Sequence, residues 1–396
     1  VQAMVAWAVS QLAGNNPNCQ ELFAQNNVIR LLVGHLAFET VQEHSKYAIP
    51  PKAHMSIHSV VLANNSSSST GSDGNAGDDE RLPPIRHPLG GHGKKNQMLT
   101  VIQSTMAAKS SKTHQPVAGN GNISKQQNAS LSGASLKGRE LEDPATKASM
   151  KETAARALWQ LAKGNTAICK SITESRALLC FAVLLERGPE QVQYNSAMAL
   201  MEISKVAEKD ADLRRSAFKP NSPAAKAVVD QMLKVVEKGD SGDLLLPCIT
   251  AIGCLCRTFR QTETRIIGPL VRLLDEREGY VTRAAVVALT KFACDENYLH
   301  LDHSKAILEA GGARHLVQLV YLGEPVALQS EALVLLCYIA HHVPDSEALA
   351  QADVLNVLER SSKQASMVQN PEVDRLLTNA KGRMELYQSR GSRGFH

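Results

Sequence analysis

One short pattern recurs along the chain: a small residue, an apolar residue, two free positions, an apolar residue and a second small one. It reads "ALWQLA" at 157, "ALMEIS" at 199, "AIGCLC" at 251, "ALTKFA" at 288 and "LLCYIA" at 335. The anchoring residues Leu158, Leu200, Ile252, Leu289 and Leu336 are spaced 42, 52, 37 and 47 apart, and an earlier copy, "AVSQLA", begins at Ala8. Spacings near forty, with three helical phrases in each, suit units that bury their apolar faces only against the units before and after them. The expected fold is an all-α, right-handed α-solenoid with negligible strand content.

A single unit shows how each helix is specified. "HSKAILEAGG" predicts a short amphipathic helix, ended by Gly311 and Gly312 because glycine enters left-handed backbone conformations freely. "ARHLVQLVYLGE" places Leu316, Val317, Leu319 and Val320 on one face at helical spacing. "PVALQSEALVLLCYIA" opens on Pro325, where a first-turn donor is not missed, and continues as the longest and most buried helix. Composition agrees: 43% of the 396 residues are apolar but only 4% aromatic, so Leu, Val and Ala carry the core.

The repeat is interrupted. From about Asn64 to Leu141 the chain runs through "NNSSSSTGSDGNAGDDERLPP", "GGHGKKNQ" and "GNGNISKQQNASLSGAS", too poor in bulky apolar residues to offset the entropy of ordering. Four segments follow from this reading: repeats over 1–63, a disordered basic insert over 64–141, repeats over 142–360, and a C-terminal helix and tail over 361–396. Within the insert, "MLTVIQSTMAAKS" at 98–110 reads either as a solvated loop or as a short docking helix. The net charge of +4 also belongs to the insert, since Arg81 to Arg139 holds nine Lys or Arg and no acid. Lys94, Lys95, Lys109 and Lys112 are therefore candidates for contact with an anionic membrane, the alternative being a solubilising linker.

No run of eighteen apolar residues and no secretory leader is visible, which predicts a soluble cytoplasmic protein, with the plasma-membrane periphery and the nucleus as further addresses. Val1 lies in mid-helix in "VQAMVAWAVSQLA", so a preceding segment is expected. The eight cysteines sit mostly in apolar phrases and read as packing residues. "CITAIGCLC" lacks the paired spacing of a zinc site, and "HLDH" at His300 and "HH" at His341 lack a third ligand. "GGHGKKNQ" departs from the spacing that cradles phosphates, and no nucleophile or metalloprotease motif occurs. The expectation is a chain without catalytic residues, metal or cofactor, whose partners are proteins rather than nucleic acids or small molecules.

The three-helix phrases resemble armadillo repeats over residues 1–45 and 143–360, as in "VIRLLVGHLAFETVQEHSKYA", "ALLCFAVLLERGPEQVQYNSAMALMEIS" and "GPLVRLLDEREGYVTRAAVVALTKFA". The stretch from "AILEAGGARHLVQLVYLGEP" to "EVDRLLTNAKGRMELYQSRGSRGFH" is similar to the C-terminal part of the plant Armadillo Repeat Only family. That resemblance implies a non-enzymatic scaffold acting with Rho-of-plants small GTPases and their GTPase-activating proteins at the plasma membrane during polarised growth. The alternative is the substrate-binding half of a plant U-box ubiquitin ligase.

Such a solenoid binds through the groove lined by its third helices. In the importin-alpha branch that groove carries Trp and Asn four residues apart, the indole holding a lysine stem and the amide an extended backbone. The corresponding pairs here are Trp7 and Gln11, Arg156 and Gln160, Met198 and Glu202, Thr250 and Cys254, Val287 and Lys291, and Val334 and Tyr338. Only the first approaches that pattern, which disfavours a nuclear-import adaptor. Trp7, Gln11, Arg156, Gln160, Met198, Glu202, Thr250, Lys291 and Tyr338 are the candidate groove residues, the alternative for each being to pack or cap its own helix.

Overall fold

The computed structural model describes residues 1–47, 143–239, 242–364 and 370–391. The described residues belong to the compact unit formed by the two stretches that flank residues 49–133. It is an all-α solenoid of three-helix, armadillo-type units, with no strand among the described residues. The chain enters on α1 (Gln2–Ala13), the third helix of the first unit. Next come α2 (Pro17–Gln25), α3 (Val28–Tyr47) and α4 (Pro144–Ala162), then α5 (Thr166–Glu174), α6 (Ala177–Arg187) and α7 (Glu190–Lys209). The next unit is α8 (Ala211–Ala217), α9 (Pro223–Lys238) and α10 (Gly242–Cys254). In the following one the first helix is reduced to two 3-10 turns, Cys256–Thr258 and Thr264–Ile266, ahead of α11 (Ile267–Arg272) and α12 (Gly279–Ala293). Two units close the stack: α13 (His300–Glu309), α14 (Gly312–Leu322) and α15 (Val326–His342), then α16 (Glu347–Gln351), α17 (Val354–Ser361) and α18 (Pro371–Gly391).

Consecutive third helices pack on one another from α1 through α4, α7, α10, α12 and α15 to α18. Beneath them runs a second ladder of second helices, α3 on α6, α6 on α9 and α9 on α11. The repeat anchors sit between these layers: Leu158, Leu200, Ile252, Leu289 and Leu336 are all fully buried. Alanines 154, 155, 157, 197, 199, 285 and 288 are buried beside them, and their small side chains let the third helices lie close. The shortest anchor spacing, 37, ends at the unit whose first helix is lost to 3-10 turns. No described helix is long and apolar enough to cross a membrane.

Local chemistry repeats with the helices. Asn16, Asn165 and Asp210 cap the first helices α2, α5 and α8, each side chain accepting from the amide three residues on, at 3.2, 3.1 and 2.7 Å. At the turn from first to second helix the backbone becomes left-handed at Asn27, Arg176, Gly311 and Asp353. The expectation that Gly311 and Gly312 together end their helix is corrected: Gly311, with φ +85°, makes the turn, while Gly312 begins α14. A Cβ on Gly312 would stand 2.6 Å from Ile307 Cγ2, so glycine is required there for space.

The break in the repeat falls between a second helix, α3, and its third helix, α4. Elsewhere that connection is Gly188 and Pro189 between α6 and α7, or Gly323 to Pro325 between α14 and α15. The insert expected at 64–141 lies outside the described residues, as do its "MLTVIQSTMAAKS" motif and Lys94, Lys95, Lys109 and Lys112.

Candidate protein-binding groove

The exposed edges of the third helices form a face whose chemistry changes along the stack. On α1, Trp7 is 52% exposed and Gln11 lies exposed one turn further on. On α4, Arg156 and Gln160 are half-buried, and on α7 Met198 is half-buried against the core. Glu202 does not line an open surface: it is 9% exposed and pairs with Lys205 at 3.1 Å. The gap between α4 and α7 is instead marked by Trp159 and Tyr194, packed edge to face with ring centroids 6.0 Å apart. The Lys163 ammonium lies 5.6 Å from the centre of the Trp159 ring.

One position past the repeat anchor, where α4 carries Trp159, α10 carries Gly253. A Cβ on Gly253 would come within 2.9 Å of both Cα and Cβ of Ala288, so α10 and α12 approach backbone to backbone there. Beside this contact the helices leave a cleft of about 300 Å³ that brings Thr250 together with Val287 and Lys291, and adds Leu246 and Tyr280. Leu246, Tyr280 and Val287 are 42, 52 and 40% exposed. The two cations at the cleft are already engaged. The Lys291 ammonium sits 2.7 Å from the Glu208 carboxylate and 3.4 Å from the Cys254 sulfur, while Arg283 forks onto Glu331 at 2.7 to 3.0 Å. Burial lowers the Lys291 pKa, but the Glu208 carboxylate and the Cys254 sulfur outweigh it and leave the group raised and charged.

A second cleft, about 450 Å³, opens between α15 and α18 and holds Val334 and Tyr338. Asp295 and Glu296 from the end of α12 and Glu372 from the first turn of α18 border it, with Arg375 and His341. Burial, and then the nearby acids led by Glu296, raise the Tyr338 pKa. The imidazoles beyond it are packed together rather than arranged about an ion: His300 and His342 lie 4.2 Å apart between centroids, and His342 Nε2 bonds the Ala293 carbonyl at 3.0 Å.

The cysteines at these helices are held as thiols. Burial pushes Cys169, Cys248 and Cys256 up to about 12, and Cys254 and Cys294 up to about 11. Among the described residues no group of three or more His, Cys, Asp or Glu is placed to hold a metal ion. The sequence register two residues before and two after the anchor thus reaches both clefts, through Thr250, Val287 and Lys291 and through Val334 and Tyr338. It misses Trp159, one residue past its anchor, and Leu246 and Tyr280, which lie one and two turns further towards the N-terminus than the register positions Thr250 and Val287.

No family model matches the chain, and no curated protein matches it. Among solved structures, the chain is similar to a computationally designed armadillo repeat protein for modular peptide recognition, at 21% identity and a TM-score of 0.48, over 59% of this chain and 93% of that one. It is similar, too, to a designed armadillo repeat protein in complex with the peptide (KR)4, at 21% identity and a TM-score of 0.48, over 62% of this chain and 97% of the other. The assignment of an armadillo-type solenoid rests on the chain's own helices: three per unit, stacked third on third and second on second.

Proposed function

We propose that the chain is a non-enzymatic protein-binding scaffold that takes a segment of its partner along the face of the third helices. The observation that carries this reading is the α10/α12 cleft, where three large apolar side chains stand partly exposed around one concavity while the neighbouring charges are paired off. Burying one Leu-sized or Phe-sized side chain there would gain about 1.5–3 kcal/mol, the scale of an interface anchor. The finer identity, a scaffold for Rho-type small GTPase regulators at the cell periphery, is supported by the resemblance of the C-terminal repeats to the plant Armadillo Repeat Only family. Peripheral attachment through Lys94, Lys95, Lys109 and Lys112 belongs to the same proposal. It predicts binding to anionic vesicles that fades with salt and with substitution of the four lysines by Gln; equal binding at low and high salt rules it out.

The test of the groove is selection of displayed random twelve-residue peptides on the whole chain. Enriched peptides should bind the parent and be lost by Val287→Glu, which places a charge in the apolar cleft without touching the core. If no peptide is enriched, or if those enriched bind the variant as well as the parent, the groove is not the binding surface.

A further inference from the structure

The third helices share one register, and α1 departs from the others in burial. Three residues past the anchor stand Leu161, Ile203, Leu255, Phe292 and Ile339 in the next five third helices, none more than 1% exposed. The residue four before the anchor is likewise buried in all five. In α1 these two positions are Leu12 and Val5, 55 and 58% exposed. Met4 is exposed and Ala8 half-buried on the same side of the helix, while Ala6, Val9, Ser10 and Ala13 are buried on the other. A helix that is apolar on both faces belongs inside a stack, yet α1 packs on α4 and α2 and leaves this stripe open.

What covers the stripe is set by direction and charge. Within a unit the second helix turns back through a short connection, as α6 does at Gly188 and Pro189, and runs against its third helix. A two-fold axis brings α1 of a second copy onto α1 in that same antiparallel sense. Centred on the small Ala8, the pairing sets Met4 opposite Leu12 of the partner subunit. Because α1 carries no charged side chain, its pairing with itself brings no like charges together. The other end of the solenoid does not fit the stripe. There α18 exposes Glu372, Asp374, Arg375, Arg383 and Glu385, the polar outer face of a terminal unit, and stacking it on α1 would bury charges where no partner waits. We propose that the chain forms a closed two-fold dimer through α1, its two solenoids joined at their N-terminal ends.

Sedimentation equilibrium of the whole chain from about 1 to 100 µM tests this: the mass should rise from one chain to two and stop there. Val5→Glu and Leu12→Glu each place a charge on the open side of α1 and should raise the dissociation constant about tenfold or more, whereas Val287→Glu on α12 should leave it unchanged. Both α1 positions are exposed, and an unchanged far-ultraviolet circular dichroism spectrum checks that the variants fold. Ala8→Cys should give a disulfide-linked dimer under mild oxidation that the parent does not, because the two-fold sets the two thiols opposite each other; adding Leu12→Glu should abolish it. A chain that stays monomeric throughout leaves the stripe to a partner other than a second copy and overturns the proposal. A dimer indifferent to both glutamates, or a mass that climbs past two chains, overturns it as well. No groove ligand enters these measurements, so the dimer stands or falls independently of the groove.

Discussion

Gln20→Ala is the substitution with the longest reach. Gln20 lies on α2 and is 3% exposed. Its Nε2 donates to the carbonyls of Ala13 at 3.2 Å and Gln160 at 3.1 Å, and its Oε1 accepts from Asn165 Nδ2 at 3.3 Å. Ala13 ends α1 and Gln160 belongs to the last turn of α4, so one side chain serves the C-terminal carbonyls of two third helices, one of them 140 residues away along the chain. Alanine strips both acceptors and leaves the Asn165 amide, whose side chain also caps α5, without this partner. A buried acceptor that loses its partner costs about 1–3 kcal/mol, so two of them give a loss of about 2–4 kcal/mol once partial hydration of the vacated space is allowed for. Gln20→Leu retains volume but not hydrogen bonds and should be nearly as destabilising, which separates the two contributions. The chain's two tryptophans, Trp7 on α1 and Trp159 on α4, flank this junction, so intrinsic fluorescence in a urea titration follows it directly. Hydrogen exchange should quicken in α1, α2 and α4 and stay unchanged in α15 to α18, because units couple only to their neighbours. An alanine variant that unfolds within about 0.5 kcal/mol of the parent, with α1 and α4 equally protected, would refute the clamp.

Leu200→Ala and Leu289→Ala each empty a fully buried site between the ladders and should cost about 2–5 kcal/mol in urea unfolding; parent-like midpoints would put the repeat register in error. Arg176→Gly should stabilise α5 and α6 by about 0.5–1 kcal/mol, since Arg176 is exposed and held at φ +63°; a lower melting temperature would contradict that account. His342 should make stability pH-dependent. Burial, and then the charge of His300, push its pKa to about 4, so below the ordinary 6.5 the unfolded chain takes up the proton first, and stability present above pH 6.5 is lost as pH falls towards 4. Between pH 7 and pH 5 this amounts to about 2 kcal/mol, absent in His342→Gln, which keeps a donor for the Ala293 carbonyl; identical pH profiles for the two proteins would exclude it.

What a residue does inside its own unit was legible in the sequence, and what it does between units was less so. Leu158, Leu200, Ile252, Leu289 and Leu336 could be read because burial on both sides of a third helix leaves a pattern of apolar and small residues confined to that helix. The left-handed turns were read only at Gly311; Asn27 and Asp353 carry residue types that favour the same backbone, whereas at Arg176 it leaves no mark in composition. The groove follows the same division. Thr250 and Lys291 were reachable from the register of one helix, but Leu246 and Tyr280 line the cleft because Gly253 lets α10 close on Ala288 of the neighbouring unit. Charge pairing reaches furthest of all. Glu208 meets Lys291 across 83 residues and Arg283 meets Glu331 across 48, so no local reading shows that these acids are neutralised. A solenoid brings residues about one or two repeats apart into contact by construction. The electrostatic character of its groove is therefore a property of successive units taken together, and it becomes readable only once their register is fixed.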